Sequence, residues 1–332
     1  MRQTSRFAAL VLLSSLSLAS EAGTFRAYLS VNGNDANPCS LSAPCRLTDA
    51  ALTAVNDGGE IWFMDSGNFN LGTLNITKSV SIVAVPGAIA SIFSINGPAV
   101  TIATAGVKVS LKNLVIKSLA GAGSTIGVNI LNGTSVSIEN CTISDMPGQG
   151  IYVNANTLVQ ISDTAIRNNS RGVDMDGGAK VSMSRLTVTG NTFGIITNAS
   201  TVGVTYDVRD SVVANNVVTG IVANPVGAVT VKAVVSNSQL TGNQVGFFGG
   251  TAGAGAITKA TLTSNLIANN AGDGMSLNGA AASILVSDNT ISGNAGTGIN
   301  NSGGAAVSST ASNSVSQNGT PTSGTITTVG KI

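Results

Sequence analysis

The sequence has no histidine, and only 9% of its 332 residues are charged, with a formal net charge of +1. Without histidine a transition-metal site loses its commonest ligand. The sparse charge offers no basic patch for a phosphate backbone, which argues against a nucleic-acid partner. Aromatic residues are scarce as well: one Trp, three Tyr and eight Phe, too few to line a long glycan groove with stacking platforms. Long apolar runs are also missing. The longest candidate, Phe7 to Ala19, falls short of the ~20 residues of a membrane-spanning helix. That run follows Arg2 and Arg6 and precedes the small residues Ser20-Glu21-Ala22, the layout of a secretory signal with Gly23 as the mature start. Residues 1–22 are therefore expected to be a signal peptide, with no membrane span after its removal. The location expected is secreted, periplasmic or cell-surface.

Three cysteines are present. Cys39 and Cys45 flank a short loop containing Pro44, and Pro38 precedes it; in an exported chain this favours a small disulfide. No further ligands accompany them, so neither a metal nor any other cofactor is expected. Cys141 falls in an apolar column with Leu114 and Leu186 and reads as a buried, inert thiol.

What the chain does have is period. Asn169, Asn191, Asn216, Asn243, Asn270, Asn294 and Asn318 follow one another at steps of 22, 25, 27, 27, 24 and 24 residues. Each has an apolar residue three positions earlier, from Ile166 to Val315. Most are followed by a Gly-apolar step such as Gly172-Val173 or Gly220-Ile221. A fixed period of this length marks one supersecondary unit stacked on itself. Upstream of each Asn, two apolar residues alternate around a third: Val109/Leu111, Val136/Ile138, Val159/Ile161, Val181/Met183, Tyr206/Val208, Ala233/Val235, Ala260/Leu262 and Ile284/Val286. Period 2 is a strand with one buried face. Each repeat thus holds about three short strands. Stacking buries their faces and makes a rod of order 55 Å, at ~4.8 Å per coil. Stacked Asn amides donate to one neighbour and accept from the other, satisfying groups that would cost ~1–3 kcal/mol each if buried alone. Earlier in the chain, Leu47, Ala50, Ala51, Ala54 and Val55 sit at helical spacing, and Gly58-Gly59 is expected to end that helix. It would lie over the first coil as a lid.

The stacked Asn column, the Val-x-Ile pairs and the Asn-x2–3-Gly-[Ile/Val] steps over about 107 to 318 resemble the secreted right-handed parallel β-helix proteins, the pectate-lyase-like superfold. The segment from Tyr28 through Cys39 to Arg46 is similar to an N-terminal module of bacterial exported β-helix proteins. The resemblance implies an all-β, single-stranded right-handed parallel β-helix over 59–332, with a disulfide loop and capping helix in 23–58. Leucine-rich repeats share the period but need a dense Leu-x-x-Leu-x-Leu frame, which is missing, as is the glycine-rich calcium roll. Many β-helix relatives cleave polysaccharides. The Gly-His-Gly element of the pectin hydrolases and the Asp-Pro-His motif of the alginate epimerases are absent, and no acidic cluster with an Arg-x-Pro-type element matches the pectate lyases.

The best remaining acid pair is Asp174 and Asp176, with Lys180 near by. With Val173 and Met175 inward, both carboxylates are expected on the outer face about 6–7 Å apart, a tolerable spacing for an inverting glycosidase. The blander alternative makes Asp176 a turn residue in a column with Asn154, Asn198, Asn224 and Asn278. Asp145, Asp163, Asp210 and Asp288 are expected at coil corners. A second column, Tyr152, Asp174, Ile196, Val222 and Phe248, is expected to point outward. Its apolar members would form an exposed stripe, unless a long turn such as 224–227 or 249–257 folds over it. The sequence therefore points to a non-catalytic binding, surface or structural scaffold. A glycan or another protein would lie along the rod. The alternative is a polysaccharide lyase or glycosidase using surface carboxylates.

Overall fold

The computed structural model describes residues 23–330, so the expected signal peptide lies outside the described residues. From Thr24 to Val329 the chain winds as a right-handed parallel β-helix. It visits three sheets in rotation, and every strand pair is parallel. The first sheet has 13 strands, from Thr24–Leu29 to Thr327–Val329. The second has 11, from Gly67–Asn68 to Ser314–Ser316, and the third has 11, from Leu74–Ile76 to Thr320–Gly324. The paired apolar positions form two rows of Cα partners in the first sheet, Val109 to Ile284 and Leu111 to Val286. All are buried. A one-residue slip in any coil would turn its apolar set outward, so the alternation fixes the register.

The corners explain the recurring Asn and Asp. Between the first and second sheets the backbone takes positive φ at Asn113, Asn140, Asp163, Arg185, Asp210, Asn237, Ser264 and Asp288. Between the second and third it does so at Asp145, Asn168, Gly190, Asn215, Gly242, Asn269, Gly293 and Gln317. Asn, Asp and Gly tolerate this left-handed region best. The residue after each second-corner position, from Asn168 to Gln317, is the ladder Asn.

The ladder is continuous. Nδ2 of Asn169, Asn191, Asn216, Asn243, Asn270 and Asn294 donates to Oδ1 of the next Asn at 3.0, 3.0, 2.9, 3.3, 2.8 and 2.8 Å. Each of those oxygens also accepts the backbone N–H of the preceding Asn. A second, shorter ladder that the sequence reading missed runs Asn265–Asn289–Asn313, with amide bonds of 3.0 and 3.0 Å. Ser238 and Ser211 continue it toward Leu186 by accepting or donating through the same corner. The column assigned as apolar at Leu114, Cys141 and Leu186 therefore changes from apolar to hydroxyl to amide along the rod.

The N-terminal end is closed. The helix Thr48–Ala54 buries Thr48, Ala51 and Leu52, and Thr48 donates both its N–H and its hydroxyl to the Phe69 carbonyl. The helix ends at Ala54 because Val55 is already extended. Gly58-Gly59 instead lies inside the strand Val55–Phe63, which corrects the expected stop. Cys39 and Cys45 form the disulfide, with Cα atoms 4.7 Å apart. Thr24–Leu29 pairs with Val55–Phe63 and so belongs to the first sheet.

Candidate functional site

The outer face of the third sheet holds most of the sequence-nominated residues, but not in the state expected. Val173 and Met175 point inward and are fully buried. Asp174 lies between its Cα partners Tyr152 and Ile196. Its side chain is only 2% exposed. Its carboxylate accepts Arg171 Nη1 at 2.6 Å, Gln149 Nε2 at 3.2 Å and Asn198 Nδ2 at 3.3 Å. Three donors hold the buried carboxylate, so it has the surroundings of a structural ion. Asp176 caps a turn, its Oδ1 accepting the N–H groups of Gly177 and Ser200. Lys180 starts the next strand of a different sheet and forms no ion pair with either aspartate. The three residues do not converge.

Ile196, Val222 and Phe248 are stacked as consecutive Cα partners, above Ile195, Ile221 and Phe247, which fill the core. The expected exposure is corrected, however: Ile196 is 6% and Val222 7% exposed, while Tyr152 and Phe248 are half-buried. Three residues earlier on the same strands stand Phe193, Thr219 and Val245, themselves successive Cα partners. In the next coil Phe248 stands beside Val222 as its Cα partner, one strand spacing away. Burial raises the Tyr152 hydroxyl above its ordinary pKa, and Asp176 and Asp174 add to the shift.

The concave surface lies elsewhere, on the outer face of the first sheet. A trough of ≈ 720 Å³ runs across six coils. Its floor is Ser81, Ser110, Ser137, Gln160, Ser182 and Asp207, each the Cα partner of the next. Five strand steps make it about 24 Å long. One rim carries Lys108, Leu158 and Lys180, all exposed. Two residues beyond the floor positions on the same strands, Lys112 pairs with Glu139 at 2.9 Å and Arg209 lies 3.5 Å from Asp207. Asp207 also accepts the Ser182 hydroxyl at 3.0 Å. A smaller depression of ≈ 390 Å³ adjoins at Thr205 and Tyr206 and contains Lys232, Val234, Lys259, Thr261, Ser283 and Leu285. The sequence signal was present. Each floor residue sits between the two members of an inward pair, and Lys108, Lys180, Lys232 and Lys259 each immediately precede one. The low overall charge hid a one-sided lysine column. Among the described residues, no group of three or more His, Cys, Asp or Glu is placed to hold a metal ion.

A model of the right-handed β-helix region matches residues 98–257. The chain is a right-handed parallel β-helix repeat protein. This β-helix is similar to the solved structure of pectate lyase Pel9A, with a TM-score of 0.51 and 15% identity over 94% of this chain and 80% of that one. It is also similar to the A-module of the mannuronan C-5 epimerase AlgE4 of Azotobacter vinelandii, with a TM-score of 0.45 and 12% identity over 83% of this chain and 91% of that one. The GH136 lacto-N-biosidase of Eubacterium ramulus gives a TM-score of 0.42 at 10% identity, over 92% of this chain and 68% of that one. At these identities the likeness is one of fold. No curated protein matches the β-helix. No helix among its described residues is long and apolar enough to cross a membrane.

Proposed function

We propose that this β-helix is an exported, non-catalytic binding or scaffold protein that holds an extended glycan along the trough of its first sheet. The observation that carries the reading is the trough itself: a floor of serine hydroxyls, a glutamine amide and one carboxylate over six coils. Such a floor both donates to and accepts from sugar hydroxyls. Its strands are rigidly registered, so binding costs little ordering of the protein. The acids near by are engaged in structure. Glu139 is paired with Lys112, and Asp207 lies beside Arg209 and Ser182. The disulfide Cys39–Cys45 fits an oxidising compartment, and export predicts a mature chain beginning at Gly23.

The second reading, a polysaccharide lyase or glycosidase, rests on Asp207, the one carboxylate lining the trough. Both readings are tested by titrating the mature protein with a panel of neutral and acidic oligosaccharides, with reducing-end release measured in parallel. Binding without turnover is expected, and it should weaken in Ser137→Phe, which fills the floor. Turnover abolished by Asp207→Asn would establish the enzyme instead. N-terminal sequencing of the exported protein tests the cleavage point.

A further inference from the structure

Fewer than half of the cations among the described residues are paired. Arg26, Lys112, Lys117, Arg171, Arg185 and Arg209 each have a carboxylate within ion-pair distance. Lys232 and Lys259 do not, and both are exposed. They are direct Cα partners on neighbouring strands of the first sheet, so their Cβ atoms stand about 5 Å apart. Like charges facing each other across a ladder repel. By register Asp207 stands diagonally across from Lys232, and its carboxylate is already engaged by Arg209 and the Ser182 hydroxyl. Their neighbours in the same column are Thr205 and Ser283, and those in the next are Val234 and Thr261. Both lysines line the ≈ 390 Å³ depression that continues the trough beyond Thr205.

We propose that Lys232 and Lys259 clamp a compact oxyanion (a phosphate, sulfate or carboxylate) carried by the glycan whose uncharged part lies in the trough; this deepens the trough reading and rests on it. An oxyanion between the two ammonium groups removes their repulsion and makes two charge-assisted hydrogen bonds. The hydroxyls of Thr205, Thr261 and Ser283 are placed around the same depression to supply further donors. Lys232 and Lys259 lie beyond Asp207, the last residue of the floor, so the ligand would lie with its anionic group toward the C-terminal coils. A nucleic acid fits less well. The only aromatic ring lining either depression is the buried Tyr206, and single strands need stacking platforms.

The test uses the mature protein with inorganic phosphate, dextran, dextran sulfate and a single-stranded oligonucleotide as probes. Phosphate should shift the backbone amide resonances of Lys232 and Lys259 more than those of Lys108 and Lys180. Lys232→Gln/Lys259→Gln should bind dextran sulfate about tenfold more weakly at low salt and leave dextran binding unchanged. Arg167→Gln, which removes an exposed charge from the second sheet, should change neither. Unaltered dextran sulfate binding in the double variant, with its circular dichroism intact, would overturn the clamp. Oligonucleotide binding tighter than dextran sulfate would overturn its assignment to a glycan. Failure of all glycans to bind, with the phosphate shifts retained, would sink the trough reading and leave the clamp standing as an anion site.

Discussion

The two halves of the rod solve the same corner in different ways. At the turn between the second and third sheets, the N-terminal coils use a different device each time. Asn70 accepts the Phe93 N–H and donates to the Phe93 and Gly72 carbonyls. One coil on, Ser94 is fully buried and accepts the Thr125 N–H. Phe63 and Phe69 pack edge to face at 4.7 Å under the capping helix. From Asn169 onward one device repeats, and each amide is tied to the coils on both sides. Local solutions confine damage to a coil, whereas a ladder shares it. That difference can be broken or sharpened by experiment.

The largest effect is expected at the ladder's middle. Asn243→Ala removes the acceptor of both Asn216 N–H groups and the donor to Asn270 Oδ1 and Val213 O. Several buried groups lose partners at once, which should cost about 3–5 kcal/mol in denaturant unfolding. Hydrogen exchange should accelerate in the coils of Asn216 and Asn270 as well. Asn70→Ala should cost less, and its exchange should rise only around Phe93. Equal spread of exchange in the two variants would erase the contrast.

Cys141 stands near the boundary, in the column where apolar residues give way to hydroxyls. It is buried, and burial pushes its thiol up to about 11 from an ordinary 9.0. A raised thiol pKa means stability that is fully present below the unfolded value and is lost as pH rises through the folded one. Between pH 9 and 11 the protein should lose about 2–3 kcal/mol from this group, and Cys141→Ala should not show that part of the loss. At pH 8 iodoacetamide should label the native thiol only as fast as the fold opens. Rapid labelling would mean that the boundary coil is looser than its packing implies.

The N-terminal clip is expected to matter about as much. Cys39→Ser/Cys45→Ser opens a short covalent loop, and chain entropy puts the cost near 2 kcal/mol. The loss should fall on the capped coils. Tyr28 N–H donates to the Cys39 carbonyl and Cys45 N–H to the Tyr28 carbonyl, so the loop is stitched to the first strand. Proteolysis should then begin ahead of Phe63 and leave the ladder coils intact.

Legibility in the sequence followed the same division. The ladder asparagines, the inward pairs, the corner aspartates and the disulfide could be read directly, because repetition and backbone constraints act on residue types. The shorter ladder escaped notice because its occupants change from Leu186 to Ser211 to Asn265, although each follows a left-handed residue. Burial of Ile196 and Val222 was not readable from their own column. It depends on what packs over the sheet from neighbouring coils, where Val222 has the half-buried Phe248 as its Cα partner. Asp174 was misread for a related reason: its partner Arg171 is three residues away on the same strand, and its burial also rests on Gln149 and Asn198 from the coils on either side. The trough could not be read as a hollow, since curvature is set by the whole sheet. The lysines on its rim follow from register alone.

The smallest effect is expected where the ladder stops. Asn318 receives the amide and N–H of Asn294 at 2.8 and 3.1 Å and donates to the Ile291 carbonyl, but it is half-buried. The strand beside it, Thr320–Gly324, is polar: Thr322 is exposed and stands over Ile299. Pro321 has no N–H to offer a further strand. Water can therefore replace much of what Asn318→Ala removes, and the cost should be about 1 kcal/mol, against several for Asn243→Ala. The ratio is the informative quantity. If the two substitutions cost the same, the amides act as independent corner pins, and the ladder has no cooperative middle.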